Sequence, residues 1–556
     1  MSLYRISVDI GGTNTDAAII DIKALTSPNR GVLATHKAPT TPDITTGIEE
    51  AIKTVLGSSA IDQSRVLSVT IGTTHFINTL VEADARRLDR VVAVRLCGPF
   101  THQIPPFSGF PVGLRHILDG GVFYLDGGLV MDGRQITELN EQQIRQAAMD
   151  ITAAGVKTVA LVGIFSPLDH DEIQEERCKE IMLETVPNLK VVCSYDIGPI
   201  GVLERENATI LNASILRTGH RVKKGFQRAM KRLNLGCPLY LSQNDGTLID
   251  IEAASDLPIK TFAIGPTNSM TGAAFLASIG QGHGASNSVH GTTNGMSSKD
   301  TSPHGTITNA DSSSCEQAQI LVVGIGGTTT DVCALLPSGF PRQAPGFLEI
   351  AGVRTAFSMP EVVSIGLGGG STVTLDAESV SVGPASVGHF IQKRAKVFGG
   401  STLTATDVVV AAGKAALGDP SLVHDIPRTG IDQMKVSAAS ATVLLVGGGA
   451  LLVTDELAGV EKCIQPIYQW AANAIGAAIG KVSGEVDTVE ILEGKDEKAI
   501  IDAACKKATD QAVEKGAVRE DVKIAEVNKM PLQYMSKVTI LIQWSKGFVP
   551  FVATQD

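Results

Sequence analysis

Two short segments of this sequence combine paired glycines with threonines and aspartates, the residue types that bind phosphate groups and magnesium ions. The first, SVDIGGTNTDAAII, spans residues 7–20, and the second, LVVGIGGTTTDVCALL, spans residues 321–336. In each, an apolar run leads into Gly-Gly-Thr, and two further small polar residues, an Asp and a second apolar run follow. Glycines let the backbone approach a ligand closely, and exposed N–H groups and hydroxyls form a cradle for anions. Both segments therefore predict phosphate-binding turns.

Aspartates flank these turns. Asp9 lies at the end of the first predicted strand and Asp16 begins the next, where a carboxylate can hold Mg²⁺ on a phosphate chain, often through water. The predicted catalytic residues are Asp9, Asp16 and Asp331, of which Asp9 and Asp16 are also the predicted metal ligands. The predicted phosphate ligands are Gly11, Gly12, Thr13, Thr15, Gly326, Gly327 and Thr328.

The elements that position these residues are two strands joined by a tight turn. A Walker-type loop instead opens a helix and ends in Lys-Ser/Thr, and no such sequence occurs here. A single Gly-Gly-Thr could be an ordinary hairpin. Two copies with the same downstream Asp favour two facing hairpins, one from each half of a bilobal nucleotide-binding protein, with the cleft between them.

Two glycine triplets extend the predicted nucleotide site. Each follows an apolar run, in SIGLGGGST (364–372) and LLVGGGALL (444–452). Either triplet could line the predicted cleft, although close packing of a helix on a strand would also explain it. The predicted residues are Gly368, Gly369, Gly370, Gly447, Gly448 and Gly449.

Composition narrows the class of protein. A chain of 556 residues is too long for one core, and 43% hydrophobic with 19% charged residues is a globular balance. A net charge of −11 without a Lys/Arg-rich block argues against nucleic acid and membrane surfaces as partners. No apolar run reaches the roughly 20 residues of a membrane span, and the start does not resemble a signal peptide. The eight cysteines are scattered, which favours buried thiols in a reducing cytoplasm over zinc or disulfides.

Strand-like and helical runs alternate along the chain, which predicts an α/β fold with parallel pairing. We expect three units: residues 1–195, residues 200–480, and a small C-terminal α+β region at 481–556. Residues 280–317 are rich in Ser, Thr, Gly, Asn and His, so we expect a disordered insertion there.

The order of motifs resembles one family. TIGTTHFINTLVE, GVLERENATILNASIL, LSQNDGTLID, TFAIGPTNSMTGAAFLA, GIGGTTTD, SIGLGGGS and VGPASVG occur in series. This series is similar to the hydantoinase/oxoprolinase family, A-type subunit, within the actin, sugar-kinase and Hsp70 superfold. The resemblance implies two ribonuclease-H-like domains around a nucleotide cleft, with two phosphate motifs and a later adenosine motif. The glycine triplet at 447–449 fits the adenosine motif best, and the triplet at 368–370 could line the same cleft. The resemblance also implies ATP and Mg²⁺ as cofactors, opening of a cyclic amide (a hydantoin, 5-oxoproline or related lactam) through carbonyl phosphorylation, and a B-type partner subunit or a homo-oligomer.

Substrate contacts are expected in two polar clusters. The first is Thr73, Thr74 and Asn78, which could instead cap a helix that starts near His75. The second is Asn244 and Asp245, in an Asn-Asp-Gly sequence that is also ordinary turn chemistry.

A further charged pair is Glu204 and Arg205, which we expect on a solvated helix face rather than paired in the cleft.

The sequence departs from the family pattern at two places. Gly324 stands where the second phosphate turn commonly begins with Asp, and IGPTNSM replaces the more usual Ser-Gly-Pro-Ala-Gly-Gly. The first departure keeps open a nucleotide-binding, non-catalytic subunit, and the second suggests a different substrate. A small-molecule kinase of the same superfold is the other alternative, with Asp16, Asp245 or Asp331 as its base.

Overall fold

The computed structural model describes most of the chain. It covers residues 2–279, 320–423 and 441–543, apart from 42, 74, 132, 170–173, 199–200, 263, 336–340, 343–347, 356–359, 376–379, 414, 454–459, 485, 492–494, 523, 525–526, 528–529 and 532–537. The predicted insertion at 280–317 lies outside the described residues.

Strands and helices alternate along the chain, as predicted. The strands are β1 (Tyr4–Ile10), β2 (Asn14–Asp21), β3 (Val32–Pro39), β4 (Val66–Thr73), β5 (Val91–Leu96), β6 (Asp119–Leu125), β7 (Thr158–Gly163), β8 (Lys190–Cys193), β9 (Leu239–Ser242), β10 (Thr247–Asp250), β11 (Ile320–Ile325), β12 (Thr330–Leu335), β13 (Leu348–Ile350), β14 (Val353–Thr355), β15 (Val362–Ile365), β16 (Ser371–Leu375), β17 (Val380–Ser386), β18 (Ala441–Val446), β19 (Val460–Ile464), β20 (Lys481–Val482), β21 (Val486–Ile491), β22 (Met530–Pro531) and β23 (Val538–Gln543). The helices are α1 (Ile44–Ser59), α2 (His75–Val81), α3 (Val112–Leu118), α4 (Glu141–Ala153), α5 (Gln174–Thr185), α6 (Val202–Arg232), α7 (Ile251–Asp256), α8 (Ile264–Leu276), α9 (Ile391–Arg394), α10 (Ala405–Ala411), α11 (Ala472–Ala478) and α12 (Glu497–Glu514).

The first large sheet has the strand order β20-β10-β9-β4-β1-β2-β3. β1, β2 and β3 form an antiparallel meander, and β4 and β9 continue from β1 in parallel. β1 and β2 are buried along almost their whole length, because helices cover both faces of the sheet. The predicted boundary between residues 195 and 200 falls between strands that share this sheet.

The second large sheet repeats this arrangement. Its order is β15-β12-β11-β18-β19, with an antiparallel meander followed by two parallel strands. β11 therefore corresponds to β1, and β12 to β2. The carboxyl ends of β1 and β11 lead directly into the two glycine turns.

Helices α8 and α11 lie between the two sheets. α11 packs on β1, β2 and β4, whereas α8 contacts β4 of the first sheet and β11, β12 and β18 of the second. One apolar cluster joins these parts, with Ile20 from β2, Met270 from α8, Ile475 from α11 and Leu444 from β18 among its buried members. The two sheets therefore share a core through this helix pair.

The remaining described parts are smaller. β6-β5-β7-β8 form a parallel sheet against α4, α5 and α6, and β21-β23-β22 form a three-stranded sheet near α12. The predicted helices at 201–233 and around residue 500 are confirmed as α6 and α12. α12 begins after the side-chain cap of Asp496, and Gly516 follows its end with a φ of +98°. Among the described residues, no helix is long and apolar enough to cross a membrane.

Candidate functional site

The two glycine turns have the same local structure. Gly11 N–H donates to Asn14 O at 2.9 Å in the first turn, and Gly326 N–H donates to Thr329 O at 2.8 Å in the second. In both cases the strands before and after the turn pair antiparallel, so the predicted strand–turn–strand arrangement is confirmed. Gly12 is exposed, and a Cβ there would have no heavy atom within 4 Å. The backbone at this tip is therefore open to a ligand.

The two turns meet in the folded chain. A Cβ placed on Gly327 would lie 3.1 Å from Thr13 Cγ2 and 3.3 Å from Thr13 Oγ1. Residues more than 300 positions apart in sequence thus form the two sides of one site. Thr328 is half-buried beside this contact. A side chain at residue 327 would therefore press on Thr13 of the first turn.

Thr15 lies behind the first turn and not at its tip. Its side chain is buried, with Oγ1 3.3 Å from Thr40 Oγ1. Thr40 Oγ1 in turn donates to Gly11 O at 2.8 Å, and its N–H donates to Thr13 O at 3.0 Å. The geometry gives Thr15 a supporting position.

The carboxylate of Asp9 is buried and held by two amides. Asn268 Nδ2 on α8 donates to Asp9 Oδ1 at 3.0 Å, and Asn473 Nδ2 on α11 donates to Asp9 Oδ2 at 3.3 Å. Burial raises the pKa of Asp9 to about 6, although the hydrogen bonds from the two amides lower it. A Cβ on Gly72 would lie 2.2 Å from Asp9 Oδ1, so only glycine leaves room for this carboxylate.

Asp16 lies directly opposite Asp9 in the β1–β2 register, so both side chains are on the same face of the sheet. Lys37, its register partner on β3, forms an ion pair with Asp16 at 2.5 Å. Burial raises the pKa of Asp16, and the charge of Lys37 acts against this rise. The first turn thus carries two buried carboxylates and one ammonium group.

The second turn carries a different set of acidic and polar side chains. Asp331 pairs with Gly324 as Asp16 pairs with Asp9, so the second sheet has no carboxylate at the position of Asp9. Ser364 Oγ on β15 donates to Asp331 Oδ1 at 2.5 Å, where the first sheet has Lys37. Burial raises the pKa of Asp331. The acidic groups are therefore concentrated beside the first turn.

Both glycine triplets pack against the second turn. Gly369 N–H donates to Gly326 O at 3.0 Å, and Gly370 N–H donates to Gly327 O at 2.7 Å. A Cβ on Gly368 would lie 2.7 Å from Thr328 N. The first triplet thus supports the second turn by close backbone packing, turn against turn and not helix against strand.

The second triplet follows β18. Gly449 N–H donates to Ile325 O at 2.9 Å, and Gly447 has a φ of +91° that brings its backbone against the same carbonyl. Gly448 is exposed with open space around it. Of this triplet, Gly448 is the residue with room to face a ligand.

The predicted cluster at 73–78 is divided in the structure. Thr73 ends β4 and is buried, whereas Asn78 is exposed on α2, which starts at His75 as the capping alternative requires. Thr74 lies outside the described residues.

Asn244 and Asp245 make different kinds of hydrogen bond. Asn244 Nδ2 donates to Ile259 O at 3.0 Å and its Oδ1 accepts from Phe262 N–H at 2.5 Å, so its amide holds the segment before α8. Asp245 Oδ1 accepts from Thr247 N–H at 2.9 Å and Thr247 Oγ1 at 2.7 Å. The bonds of Asp245 are those of ordinary turn chemistry, whereas Asn244 joins distant parts of the chain.

The position of Arg205 contradicts the prediction of a solvated helix face. It is fully buried, with Nε donating to Ser194 Oγ at 2.8 Å, and does not lie on a solvated helix face. Glu204 pairs instead with Arg354 at 3.2 Å. α6 is therefore buried at its first turns because it packs against β7 and β8.

Sequence reasoning missed four residues of the site: Lys37, Gly72, Asn268 and Asn473. The unusual IGPTNSM run was a signal for Asn268, but nothing local marked Asn473, which lies more than 460 residues from Asp9. Among the described residues, no group of three or more His, Cys, Asp or Glu side chains could hold a metal ion. Two carboxylates fit a Mg²⁺ ion that keeps several waters and is also bound by phosphates.

Two family models match the chain. The hydantoinase/oxoprolinase N-terminal region matches residues 5–186, and the hydantoinase/oxoprolinase model matches residues 281–419. Together they cover more than half of the 556 residues. The chain belongs to the hydantoinase/oxoprolinase family, as its motif order suggested.

Curated relatives are distant and longer. An uncharacterised protein of Methanocaldococcus jannaschii is 23% identical over 402 residues, which cover 69% of this chain and 53% of that protein. The caprolactamase subunit alpha of Pseudomonas jessenii is 22% identical over 439 residues, covering 75% of this chain and 55% of that subunit. The chain thus spans about half the length of the curated relatives it matches.

Two solved structures share the fold. The nucleotide-free structure of acetone carboxylase superposes with a TM-score of 0.63 at 18% identity, covering 99% of this chain and 82% of that chain. The ATP-dependent caprolactamase of Pseudomonas jessenii superposes with a TM-score of 0.61 at 17% identity, covering 98% of this chain and 81% of that chain. The fold prediction of a mixed α/β protein is confirmed.

Proposed function

We propose that this chain binds ATP between its two glycine turns and uses it to open a cyclic amide. The observation that carries the proposal is the contact between the turns, with Asp9 and Asp16 side by side next to the first. Two cradles that face each other can hold the phosphates of one nucleotide from both sides. Family membership and the ATP-dependent caprolactamase among the structural relatives support the same reaction class.

The chemistry follows from the stability of the amide. An unstrained ring resists water at neutral pH, and transfer of the γ-phosphoryl group from ATP to the carbonyl oxygen activates the ring carbon and releases ADP. Water then adds to this carbon, and the C–N bond breaks as the nitrogen takes up a proton. A second water hydrolyses the resulting acyl phosphate to a carboxylate and phosphate. The protein positions ATP and the ring and stabilises the charge on the phosphoryl group. Asp9 and Asp16 would hold Mg²⁺, which neutralises phosphate charge when bound, and Lys37 keeps Asp16 oriented.

The proposed architecture is two ribonuclease-H-like lobes around this site. The shared order of the two sheets supports it, because each places one glycine turn at the end of its first strand.

A partner chain is part of the proposal. The curated caprolactamase relative is an alpha subunit and is nearly twice as long as the matched segment. Ring opening by this chain is therefore expected with a B-type subunit, and nucleotide binding without one.

Gly324 favours a second candidate, a nucleotide-binding subunit that does not hydrolyse ATP. The second turn lacks the carboxylate that the first has in Asp9, and Asp331 is engaged by Ser364. Such a subunit would change conformation on binding ATP and act through its partner.

The deciding experiment measures phosphate release and ring opening together. The chain, with Mg²⁺ and ATP, is given hydantoins, 5-oxoproline and simple lactams, with and without a B-type subunit. Asp16→Asn should reduce substrate-dependent phosphate release at least a hundredfold, because removing a positioned charge at a phosphoryl site costs about 2.7 kcal/mol or more.

Asp21→Asn is the matched control. Asp21 lies at the far end of the same strand and accepts hydrogen bonds from the backbone N–H groups of Leu3 and Lys23. ATP binding without phosphate release under every condition would favour the non-catalytic subunit. Absence of ATP binding would refute both candidates.

A further inference from the structure

The Asp9 carboxylate is held by the two helices that lie between the sheets. The amide of Asn268 comes from α8, which packs on β11 and β18, and the amide of Asn473 comes from α11. Each carboxylate oxygen has its own donor, at 3.0 and 3.3 Å. Two donors on two oxygens fix the rotation of a carboxylate as well as its position.

The two helices are also linked to each other at this point. Ser269 Oγ donates to Asn473 Oδ1, which orients the Asn473 amide so that its Nδ2 faces Asp9. The helices cross here with their backbones in contact, since a Cβ on Gly476 would lie 1.9 Å from Asn268 O. The amide positions are therefore set by the helix crossing.

Ser269 lies beside Gly324. A Cβ on Gly324 would be 3.9 Å from Ser269 Cβ, which places the second turn's strand next to the Ser269–Asn473 bond. The two departures from the family pattern, at residue 324 and in IGPTNSM, thus meet in space. A carboxylate is missing at residue 324. Near it, Asn268 donates to Asp9 directly, and Ser269 donates to Asn473, which in turn donates to Asp9.

We propose that Asn268, Ser269 and Asn473 are positioning residues that hold Asp9 in one orientation for the metal–nucleotide complex and link it to the second sheet. The inference rests on the proposed function. The second sheet has Gly324 at the position of Asp9 and adds no carboxylate there, so the proposed metal site depends on Asp9 and its neighbour Asp16. The amides then matter for Mg²⁺-assisted binding and not for binding of ATP alone.

The test compares ATP affinity in Mg²⁺ with ATP affinity in EDTA, by titration calorimetry on the full chain. Asn268→Ala and Asn268→Leu both remove the donor, and the leucine keeps the volume. Each should reduce the Mg²⁺-dependent gain in affinity about tenfold, the value of a hydrogen bond to a charged group, and leave affinity in EDTA within about twofold. Asn473→Ala should act in the same way, and Ser269→Ala in the same direction but less.

Thr271→Ala is the control on the same helix, since Thr271 Oγ1 donates to Thr267 O and takes no part in the Asp9 contacts described here. If the Asn268 and Asn473 variants keep the full Mg²⁺-dependent gain in ATP affinity, this inference is overturned while the proposed function stands. Equal losses of ATP affinity with and without Mg²⁺ would also overturn the inference, because they would show that the substitutions disturb packing and not the metal-dependent step. A wild-type chain that binds no ATP would refute the proposed function itself.

Discussion

At the scale of single residues, Asp9 combines deep burial with a pKa of about 6 against an ordinary value of 3.8. A carboxyl group whose pKa is higher in the folded chain binds more protons there than in the unfolded chain. Its contribution to stability is therefore greatest at low pH and is lost as pH rises through the folded pKa. The ionised Asp9 carboxylate thus opposes folding at neutral pH.

We expect Asp9→Asn to change this pH dependence. Relative to the variant, the wild-type free energy of unfolding should fall by about 3 kcal/mol from the fully protonated state to pH 8, and about half of this fall lies between pH 5 and pH 8. Urea unfolding at several pH values in EDTA, without nucleotide, measures the difference. A difference that is the same at every pH would contradict the expectation.

At the scale of elements, the crossing of α8 and α11 depends on two glycines. A Cβ on Gly272 would lie 2.0 Å from Ala472 O, and one on Gly476 would lie 1.9 Å from Asn268 O. These contacts are with backbone atoms, which cannot move aside as a flexible side chain could. The helix pair must separate to admit even a methyl group, and it joins the cores of both sheets.

Gly272→Ala should therefore destabilise the chain by about 3 kcal/mol, the upper end for overpacking in a core. Gly265→Ala is the control on the same helix, because a Cβ there meets no heavy atom within 4 Å. In a helix, alanine at such a position is neutral or stabilising by up to about 1 kcal/mol. Equal effects of the two substitutions in urea unfolding would show that the helix crossing does not limit stability.

At the scale of the whole molecule, the two turns meet at Thr13 and Gly327, so a nucleotide held by both must stabilise both sheets together. Mg²⁺–ATP at 100 times its Kd should raise the free energy of unfolding by about 2.7 kcal/mol. In a thermal scan we expect a single unfolding transition, and we expect Mg²⁺–ATP to shift the whole of it to higher temperature. Gly327→Val should abolish most of this shift, because its side chain would meet Thr13 and hold the turns apart.

Gly57→Val serves as the control for this substitution, since a Cβ at Gly57 on α1 meets no heavy atom within 4 Å. It should leave the nucleotide-induced shift in melting temperature intact. A full shift in Gly327→Val would mean that ATP, if bound, does not bridge the two turns.

The sequence by itself determined the local elements and the family. Gly-Gly-Thr between two apolar runs is compatible with little besides a strand–turn–strand, because short-range sterics and burial decide it, and its repetition pointed to two related sheets. The helical period of residues 202–232 likewise marked α6.

Only the tertiary structure decided which residues surround Asp9. Asn268, Asn473 and Gly72 reach it through the packing of two helices and a neighbouring strand, and such contacts leave no periodic signal in the chain. The same holds for Arg205, whose helical position does not reveal that β7 and β8 cover that face of α6. Local patterns are set by neighbours in sequence, whereas the environment of a buried polar group is set by residues brought there by folding.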